Sequence, residues 1–236
     1  MKAMILAAGV GSRLGELTKE TPKCLIQVGS KTVLEHVVER LKAAGVTAAT
    51  INVHHHAEKV VSFVASRGSF GIHIEFSREA SLLDTGGGLK RAASFFAGEE
   101  AFIVHNADVL STIDLSALTA LHRSRGAIGT LAVLRRQSSR GLYLAVDSSL
   151  QGWTGEASAP PSQSQIFGFC GVSIASARLF SFMPPKDSFS LIEPYLAAAR
   201  ATKLVWGEVC QDAEWIDIGT PAQLALAQAQ ASKTSC

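Results

Sequence analysis

Cysteine is scarce in this 236-residue chain, and the four present, Cys24, Cys170, Cys210 and Cys236, lie far apart with no CxxC pair. Such spacing encodes neither a disulfide framework nor a zinc site, so a reducing cytoplasm is the expected setting. Charge is sparse as well: 18% of residues are charged, and 22 basic residues against 20 acidic ones leave a formal charge of +2. So small an excess argues against nucleic acid as a partner, and a hydrophobic content of 47% excludes disorder over most of the length. No run approaches the ~20 apolar residues of a membrane span, so no membrane partner is expected. The opening Met1 to Gly9 has one lysine and a short apolar run, which Gly9 and Gly11 interrupt before a secretory core could form. It reads as a first strand of a soluble protein.

What is present is alternation. Apolar runs suited to buried strands recur at Ala3–Ala8, Ala49–Val53, Ile72–Phe76, Ala101–Val104 and Gly129–Leu134, with helical patterns between them. In Thr32–Ala44 the apolar residues Val33, Leu34, Val37, Val38 and Leu41 recur at three and four, and Gly45 stands where a C-terminal cap is expected. Further helices are expected at His56–Ser66, Gly88–Phe96 and Leu115–Ser124. Beyond Leu134 the pattern loosens into Gly, Pro and Ser-rich loops, followed by a strand at Ile166–Ile174 and helices at Phe189–Thr202 and Pro221–Ala231. The expectation is one α/β domain over residues 1–236, with a nucleotide-binding half at 1–134 and an acceptor-binding half at 135–236.

The most informative segment is Leu6-Ala7-Ala8-Gly9-Val10-Gly11-Ser12-Arg13, followed ten residues later by Pro22-Lys23. Glycines allow backbone N–H groups to approach phosphate oxygens, and Arg13 and Lys23 add positive charge, so the ligand expected here is a nucleoside triphosphate. Two commoner phosphate motifs are missing. A dinucleotide fingerprint wants a third glycine where Leu14 stands, and no GxxxxGK[ST] stretch exists for a P-loop.

At these residues the chain resembles the sugar-1-phosphate nucleotidyltransferases. Their LAAGxGxR opening and PKxL continuation are matched by Leu6 to Arg13 and by Pro22-Lys23-Cys24-Leu25. The resemblance continues at Asp84-Thr85-Gly86-Gly87-Gly88, at His105-Asn106-Ala107-Asp108, and at Trp215-Ile216-Asp217-Ile218-Gly219-Thr220-Pro221, covering nearly the whole chain. It looks most like the short bacterial members acting on N-acetylmuramate 1-phosphate or on mannose- and heptose-type 1-phosphates. The resemblance implies a Rossmann-like, glycosyltransferase-A-like fold: a mixed, mostly parallel sheet flanked by helices. It implies that Arg13 holds the departing β and γ phosphates and Lys23 the α-phosphate, while Asp108 and Asp217 hold Mg²⁺. Leu6, Ala8, Gly9, Gly11, Ser12, Gly86, Gly87 and Asn106 would form the nucleotide side. Ala107 departs from the glycine that many relatives place before the aspartate.

On the acceptor side Arg140, Gly141, Glu156 and Gly171 fall where the family keeps sugar-phosphate contacts. Relatives often follow that glutamate with Lys-Pro, whereas Glu156 is followed by Ala157-Ser158, so Arg140 is expected to supply the missing charge. The implied reaction joins an NTP and a sugar 1-phosphate into an NDP-sugar and pyrophosphate, with uridylyl transfer favoured and guanylyl transfer the alternative. A silent nucleotide-sugar-binding homologue and a transferase for a non-sugar phosphate such as phosphocholine are the competing readings; a homo-oligomer stays open. His54-His55-His56 is not expected to bind a metal, because successive strand residues face opposite sides. Cys24 reads as a small buried residue. Trp215 is the tryptophan expected nearest the site.

Overall fold

Lys2–Leu6 (β1) shows why the sheet forms: Ala3, Met4 and Ile5 are all fully buried, as expected of a strand covered on both faces. In the computed structural model, which describes residues 1–136, 141–156 and 160–234, β1 is followed by α1 (Leu17–Glu20), β2 (Gln27–Val28), β3 (Lys31–Thr32), α2 (Val33–Ala43), β4 (Ala48–Val53) and α3 (Ala57–Ser66). Then come β5 (His73–Arg78), α4 (Asp84–Arg91), β6 (Phe102–Asn106), β7 (Val109–Ser111), α5 (Leu115–Ser124) and β8 (Gly129–Leu134). The chain continues with β9 (Gly141–Leu144), β10 (Leu150–Trp153), β11 (Gln165–Ala175), α6 (Ile192–Thr202), β12 (Val205–Val209), β13 (Trp215–Asp217) and α7 (Pro221–Thr234).

One nine-stranded sheet organises the chain in the order β10-β9-β11-β6-β1-β4-β5, with β8 also paired to β11 and β12 to β8. Strands β6, β1, β4 and β5 are parallel, and β11 runs antiparallel to β6, β8 and β9. The result is the mixed, largely parallel sheet that the alternation of apolar runs implies. Period-two alternation divides the core. Ala3 and Ile5 join Ile51, Ile103 and Val172 beneath α2, α3, α5 and α7, while Met4 joins Phe102, Val104 and Leu131 beneath α4 and α6.

Local signals set the helix ends. Thr32 caps α2 through a capping box, its hydroxyl accepting from Glu35 N while the Glu35 carboxylate accepts from Thr32 N. Gly45 follows α2 at φ 82°, where an L side chain would be strained. The three histidines close β4 and start α3, with His56 at φ 55° as its cap.

Two expected boundaries move, for one shared reason. The helix expected from Gly88 starts at Asp84, although Gly costs about 1 kcal/mol relative to Ala inside a helix. Packing overrides that cost. Cβ atoms built at Gly86, Gly87 and Gly88 would stand 2.4 Å from the Phe189 ring, 2.0 Å from Asp187 O and 2.6 Å from Asn52 Nδ2. Residues 187–189 are thereby committed to α4, with Phe189 N donating to Leu83 O, and α6 starts at Ile192 rather than Phe189.

The packing argument fixes a sign. Gly87→Ala gains about 1 kcal/mol in helix propensity but drives a methyl into a backbone carbonyl, and overpacking of that kind costs roughly 1–3 kcal/mol. A net fall in the urea unfolding midpoint is expected, whereas Gly98→Ala, where φ is 78° but nothing lies within 4 Å of the new methyl, should show the backbone cost of about 1–2 kcal/mol alone.

Burial also predicts a pH dependence. His105 on β6 and His122 on α5 are almost fully buried, and desolvation pushes each imidazole down from 6.5 to about 4. Between those values the unfolded chain binds more protons than the fold, so stability is full above pH 6.5 and is lost as pH falls toward 4. Each histidine should withdraw about 2 kcal/mol at pH 5. Urea unfolding of the wild type should weaken markedly from pH 7.5 to pH 5, with a shallower slope in His122→Gln.

Candidate active site

β1 ends at the carboxyl edge of the sheet and the chain turns at once. Gly11 adopts φ 68° in that turn, and a Cβ there would lie 2.9 Å from Thr18 Cγ2. Its carbonyl accepts from Leu14 N (2.9 Å) and from the Thr18 hydroxyl (3.0 Å), which shapes the loop that carries Ser12 and Arg13. Ala7 N donates to Asn52 Oδ1 at 2.7 Å, tying the loop to the end of β4. Pro22 precedes a single 3₁₀ turn, Lys23–Leu25, from which the Lys23 side chain turns inward and stays only 11% exposed.

Two carboxylates meet that ammonium. Asp108 follows β6 in the turn to β7, and Asp217 ends β13. The antiparallel β7–β13 pairing opposes Asp217 to Val109, and Ile218 N donates to Asp108 O at 3.0 Å. Residues 109 positions apart in sequence are thus fixed side by side by backbone bonds. Lys23 Nζ pairs with Asp108 Oδ2 and lies 3.6 Å from Asp217 Oδ1. The Ala107 backbone is not in the left-handed region, so alanine suits the position that precedes Asp108.

The cluster of one ammonium and two carboxylates carries a net negative charge, and the buried Asp217 Oδ1 accepts no hydrogen bond. That donor set fits a hard divalent cation: Mg²⁺ is held by one or two carboxylates, with water and phosphate oxygens completing its octahedron. Among the described residues no group of three or more His, Cys, Asp or Glu side chains converges, so His54-His55-His56 forms no such cluster. Gly219 brings Arg13 to the same place. A Cβ at Gly219 would stand 2.7 Å from Arg13 Nη2 and 2.9 Å from Asp217 Oδ1.

Two cavities adjoin at this point, sharing Thr85 and Asn106 in their walls. The smaller, about 380 Å³, is lined by Leu6, Ala8, Gly9, Asn106 and Asp108 from the expected set, together with Asn52, Glu79, Asp84 and Thr85. The larger, about 690 Å³, takes Arg13, Asn106, Gly171 and Asp217 from the expected set and adds Arg136, Trp153, Phe169 and Trp215. Gly171 sits at φ 72° where the β11 register shifts, 2.7 Å from Asn106 Nδ2 by its built Cβ. A separate cavity of about 700 Å³ between α2 and α7 touches none of the expected site residues.

Other expected residues stand elsewhere. The N–H groups of Gly86 and Gly87 point to Phe189 O at 2.9 and 3.3 Å and line neither cavity. Gly141 is buried in β9 with its N–H on Thr154 Oγ1, and Glu156 pairs with Arg200 of α6. Arg140 lies outside the described residues. Cys24 is buried and its thiol is pushed up to about 12, chiefly by desolvation, so it is an inert packing group despite its lysine neighbour. Trp215 donates its indole N–H to Cys170 O at 2.8 Å, beside Asp217 as expected.

Sequence reading did not find Asn52, Glu79 or Arg136. Asn52 and Glu79 are both buried, with Asn52 Nδ2 donating to Glu79 Oε1 at 2.7 Å. A glutamate amid an otherwise ordinary loop gives no local sign that its carboxylate will be buried.

A sequence model of the nucleotidyl transferase family matches residues 2–142. The chain is 32% identical to the N-acetylmuramate alpha-1-phosphate uridylyltransferase of Neisseria meningitidis, over 98% of each protein. It is 30% identical to a UTP–glucose-1-phosphate uridylyltransferase of Synechocystis, over 93% of this chain and 60% of that one. With a mannose-1-phosphate guanyltransferase of Gibberella zeae it shares 40% identity over 137 residues, 57% of this chain and 38% of the relative. The chain therefore spans less than two thirds of each of the latter two proteins, 60% and 38%. A Bacillus anthracis structure described as a glucose-1-phosphate thymidylyltransferase superposes with a TM-score of 0.84 at 21% identity, over 98% of this chain and 95% of that one. HddC of Yersinia pseudotuberculosis, complexed with GMP-PN, gives 0.76 at 22% identity, over 97% and 98%. The family match across the glycine loop and the Asp108 turn, the shared fold, and the Neisseria relative aligned over 98% of each protein lead to one conclusion: this chain belongs to the nucleotidyl transferase family.

Proposed function

We propose that the chain transfers a nucleotidyl group from an NTP, with UTP as donor, to a sugar 1-phosphate, giving an NDP-sugar and pyrophosphate in the cytoplasm. The observation that carries this reading is the meeting of Lys23, Asp108 and Asp217, with Arg13 over Gly219, where the two cavities adjoin. The donor's base and ribose suit the smaller cavity and the sugar phosphate the larger, which brings both reactants to one point.

Asp108 and Asp217 would hold Mg²⁺, which when bound neutralises phosphate oxygens as a Lewis acid. A triphosphate would otherwise be repelled by those two carboxylates. Lys23 places positive charge beside the phosphorus under attack, and Arg13 offers a planar guanidinium to the departing pyrophosphate. An acceptor phosphate oxygen is already a nucleophile, so the chain need supply no covalent group and no general base; it aligns and neutralises. Gly11 and Ser12 shape the phosphate loop and Gly171 lines the larger cavity on the acceptor side; Gly141 and Glu156, which are outside that lining, and Arg140 are acceptor-side candidates by sequence resemblance alone.

UTP is favoured by the Neisseria relative, whose length matches this chain end to end. GTP is the second reading, on the 40% identity to the Gibberella guanyltransferase.

Pyrophosphate release should be screened with Mg²⁺, crossing UTP, GTP, CTP and dTTP with a panel of sugar 1-phosphates and phosphocholine. Release with UTP and one sugar phosphate is expected, reduced roughly 10²-fold or more in Asp108→Asn. Release with GTP alone would replace the donor, and release only with phosphocholine would replace the acceptor class. No release with any pair, alongside calorimetric binding of nucleotide sugars, would make the protein a silent homologue.

Gly219→Ala tests the geometry more finely. Its methyl would displace the Arg13 tip and the Asp217 carboxylate while leaving the core untouched. The melting temperature should hold and kcat should fall at least tenfold, since misplacement by about 1 Å can cost 10² in rate. Full activity in that variant would separate Arg13 from the reaction.

A further inference from the structure

The two adjoining cavities differ in charge. Among the described residues the smaller is lined by Glu79, Asp84 and Asp108 and by no basic side chain. The larger is lined, among the described residues, by Arg13 and Arg136 against the single carboxylate of Asp217. A base and a ribose are neutral, whereas a sugar 1-phosphate is an anion, so the excess of cations falls where the acceptor has to sit. Arg13 is already engaged at the reacting centre. Arg136 is a second cation with no task in the reaction described above.

Its geometry is that of a fixed receptor. The guanidinium carbon stands 4.1 Å from the Trp215 ring centroid, and Nη2 donates to Phe169 O at 2.8 Å. Gly168 makes room for the side chain: a Cβ there would lie 2.7 Å from both Cγ and Nε of Arg136. Trp215 is itself pinned to Cys170 O, so β11 and β13 together hold the stack. Among the described residues Arg136 forms no salt bridge, and its Nε is buried without a hydrogen-bond partner. Arginine has five N–H donors in a planar fork suited to phosphate or carboxylate, and only one of them is spent. The neighbouring Arg135 turns the other way, over Phe167 and toward Gln165, and does not line the cavity.

We propose that Arg136 receives an anionic oxygen group of the acceptor, either its phosphate or a carboxylate carried on the sugar. The assignment rests on the nucleotidyltransferase reading and adds to it the residue that selects anionic acceptors.

Arg136→Met and Arg136→Lys should be assayed with saturating NTP and with two acceptors, N-acetylglucosamine 1-phosphate and N-acetylmuramate 1-phosphate, which differ by one lactyl carboxylate. Arg136→Met should raise the acceptor KM at least tenfold while the KM for NTP stays within twofold, and Arg136→Lys should recover part of the loss. A rise with both acceptors assigns the phosphate; a rise with the muramate alone assigns the carboxylate. An unchanged acceptor KM, or a parallel rise in both KM values, would overturn the proposal. If the wild type turns over neither acceptor, the activity reading fails separately for these substrates, and calorimetric binding of the same two compounds decides the role of Arg136. Binding by the wild type that is lost in Arg136→Met and partly kept in Arg136→Lys supports it. Equal binding by all three proteins, or none by the wild type, overturns it.

Discussion

The site depends on placing two carboxylates within reach of one ammonium that is almost withdrawn from water. Lys23 is 11% exposed and Asp108 and Asp217 are each 28% exposed, so their mutual fields are weakly screened. Removing Lys23 would leave the two carboxylates facing each other with no counter-charge, whereas an incoming dication neutralises the negative excess that the single ammonium leaves. Most of the surrounding architecture positions these three side chains. The turn after β6 delivers Asp108, the β7–β13 ribbon sets Asp217 beside it, and the 3₁₀ turn after Pro22 turns Lys23 toward both. The same turn buries Cys24 beneath the lysine, where desolvation keeps the thiol protonated.

Glycine has three different physical roles here. At Gly11 and Gly171 it supplies a left-handed backbone, the first in the phosphate loop and the second at the break in β11. At Gly86, Gly87 and Gly88 the backbone is helical and the absent Cβ matters, because α4 sits against residues 187–189 and Asn52. At Gly219 the backbone is ordinary, and the missing methyl leaves space for Arg13 beside Asp217. Only the first role is suggested by a glycine's usual association with turns. The other two emerge from distances across the fold.

That distinction explains how much the sequence disclosed. β1, β4 and β6 were legible because burial on both faces demands unbroken apolar runs, and α2 because its stripe and capping box are local; β5, expected as a buried strand at Ile72–Phe76, is instead the sheet's edge strand and buries no residue fully. Arg13, Lys23, Asp108 and Asp217 could be singled out because each stands in a short motif next to glycine, proline or an apolar strand. The start of α4 was not legible, since local propensity opposes a helix through three glycines and only contacts about a hundred residues away reverse the balance. Arg136 was invisible for a related reason: its partners, Phe169 and Trp215, lie 33 and 79 positions away, and nothing local distinguishes it from Arg135.

The central claim is that Asp108 and Asp217 form one cation-dependent centre with Lys23. Calorimetric binding of a non-hydrolysable UTP analogue, with and without Mg²⁺, tests it most directly in the wild type and in the Asp108→Asn/Asp217→Asn double variant. Mg²⁺ should tighten binding to the wild type at least tenfold and leave the double variant unchanged, and without metal the variant should bind the analogue more tightly because the repelling carboxylates are gone. Equal tightening by Mg²⁺ in both proteins would contradict the claim and separate the two aspartates from the metal.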